Sequence, residues 1–208
     1  MTRLDGFNAI AKYYDSIKYL VFGKSILRSQ LHFVEEIPRG GNFLILGGGS
    51  GEMLKPALAA SPGCRIVYVE ASSEMLHYAK SRISDHHWES IRFIHGTEDD
   101  IPEHMEFEVI ITNFFLDLFE DSQALDISKT LTSRMSHDGL WIITDFVDAG
   151  KWWHRVLLRI MYRFFILTCH IEARHLPDWQ RQLRLAGLRE TKCKSFYNGF
   201  IRACIFKK

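Results

Sequence analysis

A chain uses glycine where something must come close to its backbone, and residues 47–51 read GGGSG. They follow an apolar run, NFLIL at 42–46, and lead into a helix-like stretch at 51–60. Strand, glycine loop and helix together offer a ligand backbone N–H groups and the positive end of a helix. Spacing decides which ligand. A phosphate loop needs GxxxxGK[ST]; no lysine directly follows Gly51, and Lys55 comes too late. The dinucleotide fingerprint GxGxxG would put a glycine at position 52, which is Glu52, a carboxylate that would repel a pyrophosphate. GxGxG does fit, through Gly47, Gly49 and Gly51, and suits a ligand whose charged end is an amino acid. Glu70 stands 19 residues after Gly51, at the end of a second apolar run. A carboxylate there can accept both hydrogens of a ribose diol; the alternative is a solvated charge at a strand end.

These residues need a frame. Strand-like runs at 42–46, 65–70, 91–95, 107–113 and 139–146 alternate with helix-like stretches at 51–60, 73–83 and 121–136. The stretch 73–83 opens with Ser72 or Ser73 as a cap and spaces Met75, Leu76, Ala79 and Ile83 at helical intervals. Apolar strands alternating with helices imply a parallel sheet covered on both faces. A helix-like segment at 177–186, closed by Gly187, is followed by β runs at 188–197 and 200–206 around Asn198–Gly199, a hairpin signal. A two-residue turn there sets Cys193 opposite Cys204, with Cα atoms about 5.5 or 4.5 Å apart and near disulfide range.

The 208 residues, 47% hydrophobic and 25% charged, suit one domain with a sizeable core. A net charge of +1 argues against a general nucleic-acid footprint. The opening MTRLDGFNAIAKYYD has charges where a secretory signal has its apolar core, and the greasy stretch 152–169 is broken by Arg155, Arg159 and Arg163. A cytoplasmic location is expected, and with it free thiols. The four cysteines form no CxxC and the ten histidines no HExxH, so no metal is expected.

In five segments the chain resembles the class I S-adenosylmethionine-dependent methyltransferases, closest to the ubiquinone/menaquinone-biosynthesis type and its small-molecule relatives. LILGGGSGEML looks like the first motif, VYVEASSEMLHYAKSRI like the second, FIHGTEDDIP like the third-strand motif, FEVIITNFFLDLF like the fourth and GLWIITDF like the fifth. The resemblance implies an α/β fold: a Rossmann-like, mostly parallel seven-stranded sheet with a C-terminal antiparallel hairpin and helices on both faces. Residues 1–208 form one domain, with an N-terminal helical cap at 1–36 and a helical insertion at 150–176. S-adenosyl-L-methionine is the implied cofactor, held by Gly47, Gly48, Gly49, Gly51, Glu70, Ala71, Met75, Thr97, Glu98 and Asn113. Met75 lies beside the adenine or is ordinary helix core. The family's usual adenine-binding acid falls at Thr97, so either it has shifted to Glu98 or Glu98 offers its backbone N–H. Ile45 stands where the family commonly has an acid. FNAIAKYYD resembles the AxxYD segment, whose tyrosine, here Tyr14, closes over the cofactor or packs the N-terminal helix.

Methyl transfer from a sulfonium asks for positioning and exclusion of water, with a proton acceptor optional. Phe114, Asp117 and Asp145, at the carboxyl ends of the fourth and fifth strands, are the expected acceptor pocket; Asp117, Asp145, His170 and His175 are the candidate bases, and no catalytic residue is assigned. A small, lipophilic or anionic acceptor is the expected partner. The alternatives are a non-catalytic cofactor-binding protein and a nucleotide-cofactor oxidoreductase. Between 149 and 171 no Asp or Glu occurs, while Lys151, Arg155, Arg159 and Arg163 recur every four residues beside Trp152, Val156, Ile160 and Phe164. That pattern predicts either a helix with solvated charges or a lid whose apolar face covers the acceptor and whose basic stripe, 151–166, touches an anionic group or membrane.

Overall fold

A computed structural model describes residues 6–8, 10–169, 171 and 173–208. The strands are β1 (Asn42–Leu46), β2 (Arg65–Glu70), β3 (Ile91–His95), β4 (Phe107–Asn113), β5 (Met135–Phe146), β6 (Arg189–Phe196) and β7 (Ile201–Lys207), and the central ones are buried almost throughout. They form one sheet in the order β3-β2-β1-β4-β5-β7-β6, parallel except for β7, which runs antiparallel to both neighbours. Around it stand α1 (Ala11–Phe22), α2 (Ser25–Leu31), α3 (Leu54–Ala60), α4 (Ser73–Ser81), α5 (Asp121–Arg134), α6 (Trp152–Cys169) and α7 (Trp179–Leu185).

Alternation splits the sheet's side chains between two cores. Phe43, Ile45, Ile66 and Tyr68 pack with Leu54 and Leu76 of α3 and α4. Leu44, Leu46, Val67 and Val69 belong to the opposite face with Leu131 of α5 and Trp179 of α7. A third cluster, with Phe22, Ile26, Phe146, Leu158, Tyr162 and Phe200, ties α1, α2 and α6 to the sheet. Ser72 caps α4, its hydroxyl accepting from the Met75 N–H at 3.1 Å.

Four expectations need correction. The β5 strand begins at Met135 rather than 139, because Met135 pairs with Phe107 ahead of a register shift. The hairpin closes through four residues, Tyr197–Phe200, with Tyr197, Asn198 and Gly199 all left-handed. Its register is the one the Asn-Gly signal predicts: Cys193 opposes Cys204, since the only shift in this ladder lies beyond them, between Glu190 and Lys192. The expectation of free thiols fails at this pair: with Cα atoms 4.1 Å apart, the two sulfurs are bonded, leaving Cys64 and Cys169 free and buried.

The fourth correction concerns α6. His154, Leu158, Tyr162 and Cys169 face inward, while Trp152, Val156 and Ile160 face solvent with Arg155, Arg159 and Arg163. The inward row is fixed at several points. The His154 Nδ1 accepts from the Ala149 N–H at 3.1 Å, and burial pushes this imidazole down, toward its neutral form. The Tyr162 hydroxyl donates to the Asp117 carbonyl at 2.7 Å, and Phe165 packs on Phe7 and Tyr14. No helix among the described residues is long and apolar enough to cross a membrane.

Candidate functional site

A cavity of 220 Å³ opens at the carboxyl ends of β1, β2 and β4. Its floor is the glycine loop, and each glycine there has its own reason. A Cβ at Gly48 would lie 2.3 Å from the Tyr68 ring, and one at Gly47 2.5 Å from Phe115. At Gly51 it would meet the Ala79 backbone of α4 at 2.8 Å. These three positions are glycine because protein packs on them. Gly49, left-handed at φ +61°, would meet nothing within 4 Å. That open position belongs to whatever enters the cavity.

Glu70 sits in the wall as a buried carboxylate. One oxygen accepts from the Gly49 N–H and the other from the Ser72 N–H, both at 2.8 Å. Burial raises its pKa, and those two backbone donors oppose the rise. Each oxygen keeps a lone pair for a ligand hydroxyl. Tyr68 braces the loop from below, its hydroxyl donating to the Gly49 carbonyl at 2.7 Å. The cavity thus has a floor held from two sides.

Of the residues singled out from sequence, Tyr14, Gly47, Gly48, Gly49, Glu70, Ala71, Met75, Thr97, Glu98, Asn113 and Phe114 all line this one cavity. Thr97 and Asp100 form a capping box that shapes the loop after β3. Phe114 holds a left-handed backbone, φ +52°, at the cavity's edge; strain of this kind persists only where the surroundings fix it. Here the Phe114 N–H donates to the Thr144 carbonyl at 2.7 Å.

Gly51, Asp117 and Asp145 lie outside the cavity lining. The two aspartates form a buried pair behind it. Asp145 accepts from the N–H groups of Leu116, Asp117 and Phe146 at 3.1, 3.3 and 2.8 Å. Burial pushes it up to about 7 despite those donors. Asp117, buried against this carboxylate and hydrogen-bonded to it, is held well above the usual carboxylate range. Both carboxyls thus hold a proton more firmly than a solvated carboxyl does, favouring one shared between them, and the backbone N–H groups that Asp145 gathers hold the turn after β4. His175 is exposed and pairs with Asp121 at 3.4 Å, away from the cavity; His170 lies outside the described residues. The one group of His, Cys, Asp or Glu tight enough for a metal among the described residues is Glu190, Cys193 and Cys204. Its sulfurs are bonded to each other, and the Arg202 guanidinium contacts both Cys193 and Glu190.

Sequence reasoning missed several lining residues. Lys18 of α1 reaches the cavity, bridging Glu52 at 2.9 Å and Asp15 at 2.8 Å. Gln30 of α2 brings a buried amide oxygen that, like that of Asn113, has no hydrogen-bond partner among the described residues. Nothing in the period of α1 or α2 announces these contacts. Only the fold brings residues 18 and 30 to the end of β1.

Comparison with known proteins places the site in a family. Residues 44–140, which carry the glycine loop, Glu70 and Asn113, match the family model of a methyltransferase domain. That match covers a little under half of the chain. Around it the chain has the class I methyltransferase fold. It superposes on mitomycin 7-O-methyltransferase with a TM-score of 0.70 at 15% identity, covering 98% of this chain and 60% of that one. For human N-acetylserotonin methyltransferase, solved with S-adenosylmethionine, the values are 0.62, 18%, 95% and 55%. A protein from Haloferax volcanii, solved with the Trm112 methyltransferase activator, gives 0.75 at 15% identity, covering 99% of this chain and 97% of its own. The chain thus spans about three fifths of the length of the first two of these structures. No curated protein sequence matches it.

Proposed function

We propose that the protein transfers the methyl group of S-adenosyl-L-methionine to a small lipophilic or anionic acceptor. The observation that carries this reading is Gly49: the one loop glycine where an added Cβ would meet no described protein atom, open to the cavity beside a buried Glu70. Glu70 would take the ribose hydroxyls, Met75, Thr97 and Glu98 the adenine, and Ala71 the ring between them. Lys18 and Glu52 offer a cation and an anion to the zwitterionic end, and so replace the acid that Ile45 lacks. When bound, the cofactor supplies a methyl group on a positively charged sulfur, already activated for transfer.

The chain's own residues then position and exclude. Phe7, Tyr14 and Phe165 form an aromatic cluster at the mouth that keeps water out. Burial, with the nearby Asp117, raises the Tyr14 phenol far above neutral, so it donates a hydrogen bond and takes no proton from the acceptor. The unpartnered oxygens of Asn113 and Gln30 fit an acceptor hydroxyl or amine. A cytoplasmic location belongs to the same reading.

Calorimetry tests the cofactor. S-adenosylmethionine and its demethylated product should bind, and NADH should not. Gly49→Val should abolish binding, and Glu70→Ala should lose about 1–3 kcal/mol. Equal affinity in both variants, or tighter binding of NADH, would refute the assignment. Ile45 favours a second reading, a cofactor-binding protein without catalysis. Transfer of a labelled methyl group to any member of an acceptor panel excludes it.

A further inference from the structure

The outward face of α6 has an unusual composition. At 100° per residue, Arg155, Arg159, Arg163, Trp152, Val156, Ile160, Ile166 and Leu167 fall within an arc of about 140°. All eight are exposed, Trp152 to 77% and Leu167 to 78%. The arc holds three cations, five large apolar side chains and no acid. Along its arginine edge runs a groove of 610 Å³ between α6 and residues 174–180, lined by Arg155, Arg159, Arg174, His175 and Tyr162. Arg155 is held by Asp148 at 3.5 Å. Arg159, Arg163 and Arg174 have no carboxylate partner among the described residues. Beyond the arc's apolar edge, Tyr197 packs on both Trp153 and Phe22, and α1 continues the surface with exposed Tyr19 and Leu20.

We propose that this face is a docking surface for an anionic lipid bilayer, with the groove taking headgroup phosphates. Charge selects this occupant. A second copy laid isologously on the face would set arginine against arginine with no acid from the arc to relieve it. Phosphates suit the guanidiniums of Arg159, Arg163 and Arg174, which bind them by paired N–H donors. The apolar side chains, interleaved with arginine rather than gathered into a socket, suit the boundary between headgroups and acyl chains. The helix lies on the bilayer, since it cannot cross it. The proposal draws on the methyl-transfer reading only for its purpose: Cys169, the last residue of α6, and Ile171 beyond it line the cavity, so a docked helix presents that mouth to lipophilic acceptors.

Cosedimentation with vesicles of phosphatidylglycerol and phosphatidylcholine, against phosphatidylcholine alone, tests it. The parent should bind the anionic vesicles at least about tenfold more strongly, less so at high salt. Arg159→Glu with Arg163→Glu, and separately Trp152→Ser with Leu167→Ser, should each lower binding by at least about tenfold while leaving the circular dichroism unchanged. Equal binding to both vesicle types, or variants that match the parent, overturns the proposal. So does a parent dimer in sedimentation velocity that the Trp152 and Leu167 changes dissolve, which would give the face to a second copy. Retention on polyglutamate that survives the Trp152 and Leu167 changes would assign it to an acidic protein and overturn it equally. Calorimetry separates the two readings. Vesicle binding without S-adenosylmethionine binding sinks methyl transfer and leaves the docking surface; the reverse sinks docking alone.

Discussion

The glycine loop and helix α6 both stand over the carboxyl ends of the strands, yet different physics determines them. In the loop, backbone meets ring, helix or open cavity at van der Waals distance, and at each position the residue type is forced. Along α6 the constraint is only that one row faces inward. Many sequences meet it, so the outward arc is free to carry something else. Close approach dictates residues; packing of a helix dictates a period.

The joint between the two regions should show the largest effect. The Tyr162 hydroxyl of α6 bonds the carbonyl of Asp117, whose carboxyl leans on Asp145 at the end of β5. Asp145→Asn would turn an amide N–H toward backbone N–H groups that now donate to a carboxylate. A loss of about 3–5 kcal/mol in urea unfolding is expected. Asp117→Asn keeps a neutral donor in place and should cost about 1 kcal/mol or less. The two variants should also differ in pH response. A carboxyl with a raised native pKa binds its proton more tightly when folded. Its contribution is full below the ordinary carboxylate pKa of about 4 and is lost as pH rises toward the native value. The parent's Tm should therefore fall from pH 5 to 8, and Asp117→Asn should flatten that fall. An equal slope in both would place the shared proton elsewhere.

Within the loop the glycines should separate into two kinds. Gly51→Ala drives a methyl into the Ala79 backbone at φ +86°, and about 2–4 kcal/mol of stability should go. Gly49→Ala meets open space and bears only its left-handed backbone, about 1 kcal/mol. Its larger effect should be on cofactor affinity. If calorimetry shows Gly51→Ala weakening the cofactor more than Gly49→Ala does, the division between packing and ligand positions is wrong.

The same division explains how much could be read in advance. Runs such as NFLIL and RIVYVE became β1 and β2 with the expected limits, because strands buried on both sides must be apolar throughout. The Asn198–Gly199 signal gave the register that opposes Cys193 and Cys204, although the loop itself is longer. Gly47, Gly49 and Glu70 were legible because they are spaced along one strand-loop-helix unit. Lys18, Gln30 and Cys169 were not, since they reach the cavity only through packing between distant elements. Asp117 and Asp145 were misplaced for a related reason: a position at a strand's end is visible in sequence, but the direction of its side chain is not.

Helix α6 offers the smallest effects and the sharpest internal control. Leu158 and Ile160 lie two residues apart and have similar volumes. Leu158 is buried against Phe22, Phe146 and Phe200, whereas Ile160 is 60% exposed. Leu158→Ala should cost about 2–4 kcal/mol through lost transfer energy and a cavity at the cap. Ile160→Ala should change stability by no more than about 0.5 kcal/mol, partly because alanine is the better helix former. Urea unfolding of the two variants in one buffer checks the orientation of the helix directly. A larger loss at Ile160 would turn α6 over, bring Trp152 and Val156 inward as the sequence pattern first suggested, and remove the outward arc on which lipid docking depends.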